Sequence, residues 1–224
     1  MIPWSHLDTA QVPGGGTLRL MQRGTEFSIR LDSNELMNSR LTATEQALAT
    51  IACDKLRTRA KQKILIGGLG MGFTLRAALV VLGADSQIIV AELVPAVIAW
   101  ARGPMAPLFG NSLYDPRVRI READVSEMIR AARSEYDAIL LDVDNGPEGI
   151  TREANDRLYD LDGLTSARRA LRSGGVLAVW SSTSNPKFTA RLKMTGFDVV
   201  ENPLRAKGPQ GGAKHFVWTA TRTE

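Results

Sequence analysis

One segment of the 224-residue chain, Ile64-Leu65-Ile66-Gly67-Gly68-Leu69-Gly70-Met71-Gly72-Phe73, constrains the fold more than any other. Three β-forming apolar residues run into a turn rich in glycine, and the apolar stretch from Phe73 to Leu82 then reads as a helix. Strand, glycine turn and helix in that order make the opening unit of an α/β domain, where glycines let the backbone come close to a ligand.

The alternation continues. Ile88-Ile89-Val90 reads as a strand and Pro95 to Arg102 as a helix with proline at its start. Val118-Arg119-Ile120 is the next strand, Ser126 to about Arg133 the next helix, and Ala138-Ile139-Leu140-Leu141 is apolar throughout, as a central parallel strand should be. A helical stretch from about Glu153 to Leu171 is expected to stop at Ser173-Gly174-Gly175, ahead of a strand at Val176 to Trp180. Pro186 to Met194 reads as a helix, with strands at Phe197 to Val200 and Phe216 to Thr221.

Upstream, Thr42 and Glu45 have capping-box spacing, and Leu48, Ile51, Ala52 and Leu56 share one helical face up to about Arg59. Residues 17–40 read as short strands, chiefly Thr17 to Met21 and Phe27 to Leu31 around a turn at Gly24. The expected fold class is therefore α/β, a Rossmann-like sheet flanked by helices, with a small β appendage over residues 1–45 and the nucleoside-binding domain over 46–224.

Composition excludes several classes. With 44% apolar and 23% charged residues the chain can bury a core and is neither disordered nor collagen-like. No apolar run approaches the roughly 20 residues that span a bilayer, and Met1 to His6 has neither a basic nor an apolar leader region, so a cytoplasmic protein without membrane contact is expected. Cys53 is the single cysteine and His6 and His215 the only histidines, which forbids an internal disulfide and argues against a structural metal. The net charge of +4 is split: Asp142 to Asp162 holds seven acids against Arg152 and Arg157, while Pro203 to Arg222 holds four bases and no acid. No basic block or basic stripe interleaved with aromatics occurs, which argues against a nucleic-acid partner.

The chemistry gathers at strand ends. Glu92 closes the second strand 20 positions after Gly72, the distance at which an acid reaches ribose hydroxyls in nucleotide-binding α/β folds. Asp124 follows the third strand and Asp142 ends the fourth. The glycine turn, Glu92, Asp124 and Asp142 thus all fall at carboxyl ends, which line the ligand crevice of an open α/β sheet. The glycines are spaced Gly68-x-Gly70-x-Gly72, one position tighter than the dinucleotide fingerprint.

That spacing resembles the first motif of class I S-adenosylmethionine-dependent transferases. With Val90-Ala91-Glu92-Leu93-Val94-Pro95, Asp115-Pro116-Arg117-Val118, Tyr136-Asp137-Ala138-Ile139-Leu140-Leu141-Asp142 and Leu171-Arg172-Ser173-Gly174-Gly175-Val176-Leu177, the chain resembles spermidine synthases in motif order and spacing. The resemblance implies a seven-stranded sheet, a homodimer, a small-molecule acceptor and an S-adenosyl donor, either S-adenosylmethionine or its decarboxylated form. It assigns the donor to Gly67, Gly68, Gly70, Gly72, Glu92, Leu93, Asp124, Val125 and Asp142, with Glu92 at the ribose and Asp124 near the adenine. Asp142 would also position and deprotonate an attacking amine, with Asp144 and Asn145 as further catalytic positions.

The departures from the family bear on the reaction. Gly70 stands where the family carries an Asp that holds the donor's amine, and Asn145 where it carries a second acid. The family's substrate-closing Gln and Tyr align with Leu36 and Glu45, and Asp144, Glu148 or Glu45 are the acids available to restore the charge. With no acid at Gly70, the expectation leans to methyl transfer from S-adenosylmethionine to a small nucleophile. The alternatives are aminopropyl transfer to a polyamine-type amine and a catalytically silent nucleoside-binding protein. The basic segment with Arg205, Lys207, Lys214 and His215 would suit an acidic acceptor.

Overall fold

The computed structural model describes residues 2–143, 147 and 157–223. A four-stranded antiparallel sheet comes first, in the order β1 (Ser5–Gln11), β2 (Thr17–Arg23), β3 (Glu26–Leu31), β4 (Asn34–Asn38). After α1 (Ala43–Asp54) the chain builds a second sheet from β5 (Lys63–Gly67), β6 (Gln87–Glu92), β7 (Val118–Glu122), β8 (Tyr136–Leu141), β9 (Leu171–Ser181), β10 (Phe197–Arg205) and β11 (Lys214–Arg222). Its spatial order is β10-β11-β9-β8-β5-β6-β7, with β5 to β9 parallel and β11 antiparallel to both neighbours. The helices between are α2 (Phe73–Val81), α3 (Pro95–Arg102), α4 (Ala106–Phe109), α5 (Val125–Ala131), α6 (Leu161–Ala170) and α7 (Pro186–Met194).

Period-two alternation explains the layering. Ile64, Ile66, Ile88, Val90, Ala138 and Leu140 face α1, α2 and α3. Their neighbours Leu65, Ile139 and Leu141 face the layer of α5, α6 and α7. Every residue of β8 is buried, as a strand covered on both faces requires. The antiparallel sheet has one apolar face, and its Leu18, Leu20, Phe27 and Ile29 join the same core as α1 to α3. The Trp100 indole on α3 donates to Asp8 Oδ2 on β1 at 2.6 Å, tying the two sheets together and holding the Asp8 carboxyl below its usual range. Chain order runs outward from β5 to β7 and returns to β8 beside β5. The switch point between β5 and β8 is where α/β sheets open a crevice.

Several expectations change. β1 and β4 add to the two strands read in the appendage. Thr42 precedes α1 but makes no side-chain capping bond, so the capping box is not formed. α5 begins at Val125, capped by Asp124, and not at Ser126. Ser173-Gly174-Gly175 does not separate helix from strand: β9 starts at Leu171, and these residues bulge between the pairs Tyr136↔Leu171 and Ala138↔Val176. Of the helix expected from Glu153, residues 153–156 lie outside the described residues, and the described part breaks at Asp160, which caps α6.

The bulge packs on an ion cluster at the amino end of the sheet. Asp137, buried on β8, accepts from Arg59 Nη1 (2.8 Å), Arg172 Nη1 (2.7 Å) and the Lys63 amide (2.8 Å). Each of these charge-assisted hydrogen bonds is worth about 1.5 to 3 kcal/mol, less where the arginine is part-exposed as Arg59 and Arg172 are. Asp137→Ala is therefore expected to lower the unfolding free energy by about 3 kcal/mol in urea denaturation at unchanged m-value. A loss of well under about 1 kcal/mol would assign the cluster to the solvated surface.

Candidate active site

The glycine turn leaves β5 at the switch point and is built for close approach. Gly68 and Gly72 have φ of +87° and +77°, a region that L-residues avoid. A Cβ on Gly72 would lie 2.3 Å from the Phe109 ring, and one on Gly70 2.8 Å from Met37 Cε. Gly67, also expected at the donor, is not among the described residues lining the cleft. It closes β5 with Leu141 and Val125 against it, which makes it a packing glycine away from the cleft surface.

Glu92, buried at the end of β6, pins this turn. The Leu69 amide donates to its Oε2 at 2.9 Å and the Val94 amide to its Oε1 at 2.8 Å. Burial pushes its pKa up, opposed by these amides. The amides of Gly70 and Leu93 also reach the same carboxyl. Asp124 accepts the Ser126 amide at 2.7 Å as the N-cap of α5 and stands at the cleft wall as well.

Asp142 follows β8 and faces the turn. Thr74 Oγ1, in the first turn of α2, lies 3.0 Å from Asp142 Oδ2 and 3.3 Å from the Glu45 carbonyl, and its one proton can serve only one of them at a time. Burial pushes Asp142 up to about 6, against the Thr74 bond. Glu45, in the first turn of α1, is pushed up to about 7 by burial and by the neighbouring charge of Asp142. The two carboxyls form one interacting pair.

These groups surround an open cleft. One wall is Gly68, Gly70, Glu92, Leu93, Asp124, Val125 and Asp142; the other is the antiparallel sheet, through Val12, Leu18, Ile29, Leu31, Leu36 and Met37. A smaller, more enclosed pocket continues from it behind the glycine turn and reaches Glu45 and Thr74. Four carboxyls, Glu45, Glu92, Asp124 and Asp142, line the two spaces, and no Lys, Arg or His is among their described lining residues.

The structure thus brings together Gly68, Gly70, Gly72, Glu92, Leu93, Asp124, Val125 and Asp142, with Gly72 in the smaller pocket. Asp144 and Asn145, expected to be catalytic, and Glu148 lie outside the described residues. Thr74, Met37 and the appendage residues escaped the sequence reading. Only Leu36 and Glu45 carried a signal, through the positions they take in the family's pattern. The basic segment lies elsewhere: Arg205, Lys207, Lys214 and His215 are absent from the cleft lining. His215 instead meets Thr44 Oγ1 at 3.1 Å and packs edge-on against Trp180, at 4.9 Å between ring centroids.

Residues 44–192 match the family model described as spermine/spermidine synthase domain. The chain belongs to that family. It is 34% identical over 122 residues to polyamine aminopropyltransferase 1 of Streptomyces coelicolor, covering 54% of this chain and 22% of that protein. It is 28% identical over 120 residues to the polyamine aminopropyltransferase of Korarchaeum cryptofilum, covering 54% of this chain and 35% of that one. The chain therefore matches well under half the length of these curated relatives. Among solved structures, spermidine synthase from Thermotoga maritima superposes with a TM-score of 0.72 at 18% identity, over 97% of this chain and 72% of that one. A spermidine synthase in complex with the transition state analogue AdoDATO gives the same score at 19% identity. These likenesses establish the shared fold, a seven-stranded mostly parallel sheet with a four-stranded amino-terminal sheet.

Two measurements check the geometry. Gly72→Ala, which must displace a buried ring beside a positive φ, is expected to destabilise by about 3 kcal/mol or more. Gly70→Ala, which meets the end of a flexible Met, should cost about 1 to 2 kcal/mol and recover part of that with Met37→Ala; equal losses at both sites would contradict this packing. Because Glu45 and Asp142 hold protons in the folded state that they release when unfolded, at ordinary values near 4, the stability they contribute is present below about pH 4. It falls as pH rises through 6 and 7. Glu45→Gln should flatten that decline in thermal melts of the ligand-free protein, and an unchanged slope would contradict the pairing.

Proposed function

We propose that the protein transfers an aminopropyl group from decarboxylated S-adenosylmethionine to an amine of a polyamine-type acceptor. The observation that carries this reading is the charge of the cleft: four carboxyls and no described basic side chain. The sulfonium donor, its primary ammonium and a polyamine acceptor are all cations. S-adenosylmethionine would add a carboxylate with no cation to meet it, and buried unpaired charges are costly. The leaning towards methyl transfer, drawn from Gly70 alone, is therefore set aside. The names of the relatives agree with aminopropyl transfer.

In this reading the adenosine end lies along Glu92 and Asp124, and the sulfonium sits by Gly68, Gly70 and Asp142. The acceptor's amine lone pair attacks the aminopropyl carbon bound to sulfur. A C–N bond forms as the C–S bond breaks in line, and its electron pair passes to sulfur, leaving neutral methylthioadenosine. The proton lost from the attacking amine goes to Asp142 and on to solvent. The protein's work is to align the two centres and to supply a base. With its pKa pushed up to about 6, Asp142 is ionised near neutrality and basic enough to take that proton.

Turnover should accordingly rise with pH through about 6 as Asp142 loses its proton. Asp142→Asn is expected to lower kcat about 10²- to 10⁴-fold while methylthioadenosine still binds, measured by product release and by calorimetry. Undiminished turnover in that variant would remove Asp142 as the base. The homodimer implied by the family resemblance belongs to this proposal too, and light scattering of the purified chain decides it.

A further inference from the structure

Glu45 does not belong to the glycine turn or to any strand end, yet its carboxyl enters the site from α1. It faces the small pocket behind the turn, with Met37, Gly70, Thr74 and Asp142 around it. Its carboxyl is held locally, by a long bond from Thr44 Oγ1 at 3.4 Å and by its own backbone amide. No described Lys, Arg or His lines that pocket. A carboxyl set beside a second carboxyl in an enclosed space is unfavourable without a cation between them.

The pocket shares Met37, Gly68, Gly70 and Asp142 with the large cleft, so it begins where a sulfonium would sit and ends at Glu45. A side chain at position 70 would run into Met37, so a charge for this pocket cannot come from the turn without moving that residue.

We infer that Glu45 is a specificity-determining residue that receives the primary ammonium of the donor's aminopropyl tail in the pocket behind the glycine turn. The inference rests on the aminopropyl reading given above. No bond changes at Glu45: the ammonium hydrogens are donated to its carboxylate, and Asp142 remains free for the acceptor. A tail that still bears its α-carboxylate would set a third negative charge between Glu45 and Asp142, so the same pair selects against S-adenosylmethionine.

The test is calorimetric titration of the full chain, wild type, Glu45→Gln and Glu45→Asp, with decarboxylated S-adenosylmethionine, S-adenosylmethionine and methylthioadenosine. Methylthioadenosine lacks the ammonium tail, so its unchanged affinity certifies a folded site in each variant. The wild type is expected to prefer the decarboxylated donor, and Glu45→Gln to bind it about 10- to 100-fold more weakly, the loss for a hydrogen bond to a charged group. Glu45→Asp should fall between them. Near pH 7, binding to the wild type should also release protons, measured across buffers of different ionisation enthalpy, and this release should shrink in Glu45→Gln. A preference retained in full by Glu45→Gln overturns the role of Glu45 and leaves the aminopropyl reading standing. A wild type that binds methylthioadenosine but does not prefer the decarboxylated donor overturns both.

Discussion

The site depends on one buried carboxylate. Glu92 sits at the end of β6 and takes the amides of Leu69 and Val94, one on each oxygen. It thereby fixes the glycine turn after β5 to the chain after β6, beside the sheet's switch point. Without that clamp the amides of a turn with three positive φ values would have to find other partners, and buried amide groups are seldom left unpaired. The same carboxylate faces the cleft, so one residue shapes the ligand wall and forms part of it.

The second constraint is closure. The antiparallel sheet contributes Leu18 and Ile29 to the cleft wall as well as to the core, so folding of the appendage and formation of the cleft draw on the same contacts. An apolar lid over acidic groups has an electrostatic consequence: it keeps water from Asp142 and Glu45, raises their proton affinity and strengthens their attraction for a cation. Acidic walls in an apolar setting suit a cationic donor and a cationic acceptor, and that matching of charge sets this cleft apart from a generic nucleoside crevice.

Much of this was readable in the amino-acid order. β5 and β8 are short apolar runs because helices cover them on both faces, and the acids that follow the strands fall at carboxyl ends because a parallel sheet allows no other place. β1 and β4 were harder to see, since β1 is almost wholly exposed and β4 is too short to show a period. Thr42 and Glu45 have the spacing of a capping box, but spacing could not reveal that Glu45 faces a pocket shared with Asp142. Ser173-Gly174-Gly175 looked like a helix stop because a β-bulge and a helix terminus both select glycine. The absence of an acid at Gly70 is visible in a motif, whereas an acid brought beside the turn from another element, as Glu45 is from α1, is visible only in three dimensions.

The central claim, transfer of an aminopropyl group, is tested most directly by letting both donors compete. The purified protein is incubated with equal amounts of S-adenosylmethionine and its decarboxylated form and a mixture of diamines and polyamines, and all products are identified by mass spectrometry. The account predicts methylthioadenosine in step with one aminopropylated amine, and no S-adenosylhomocysteine. S-adenosylhomocysteine together with a methylated acceptor would contradict it.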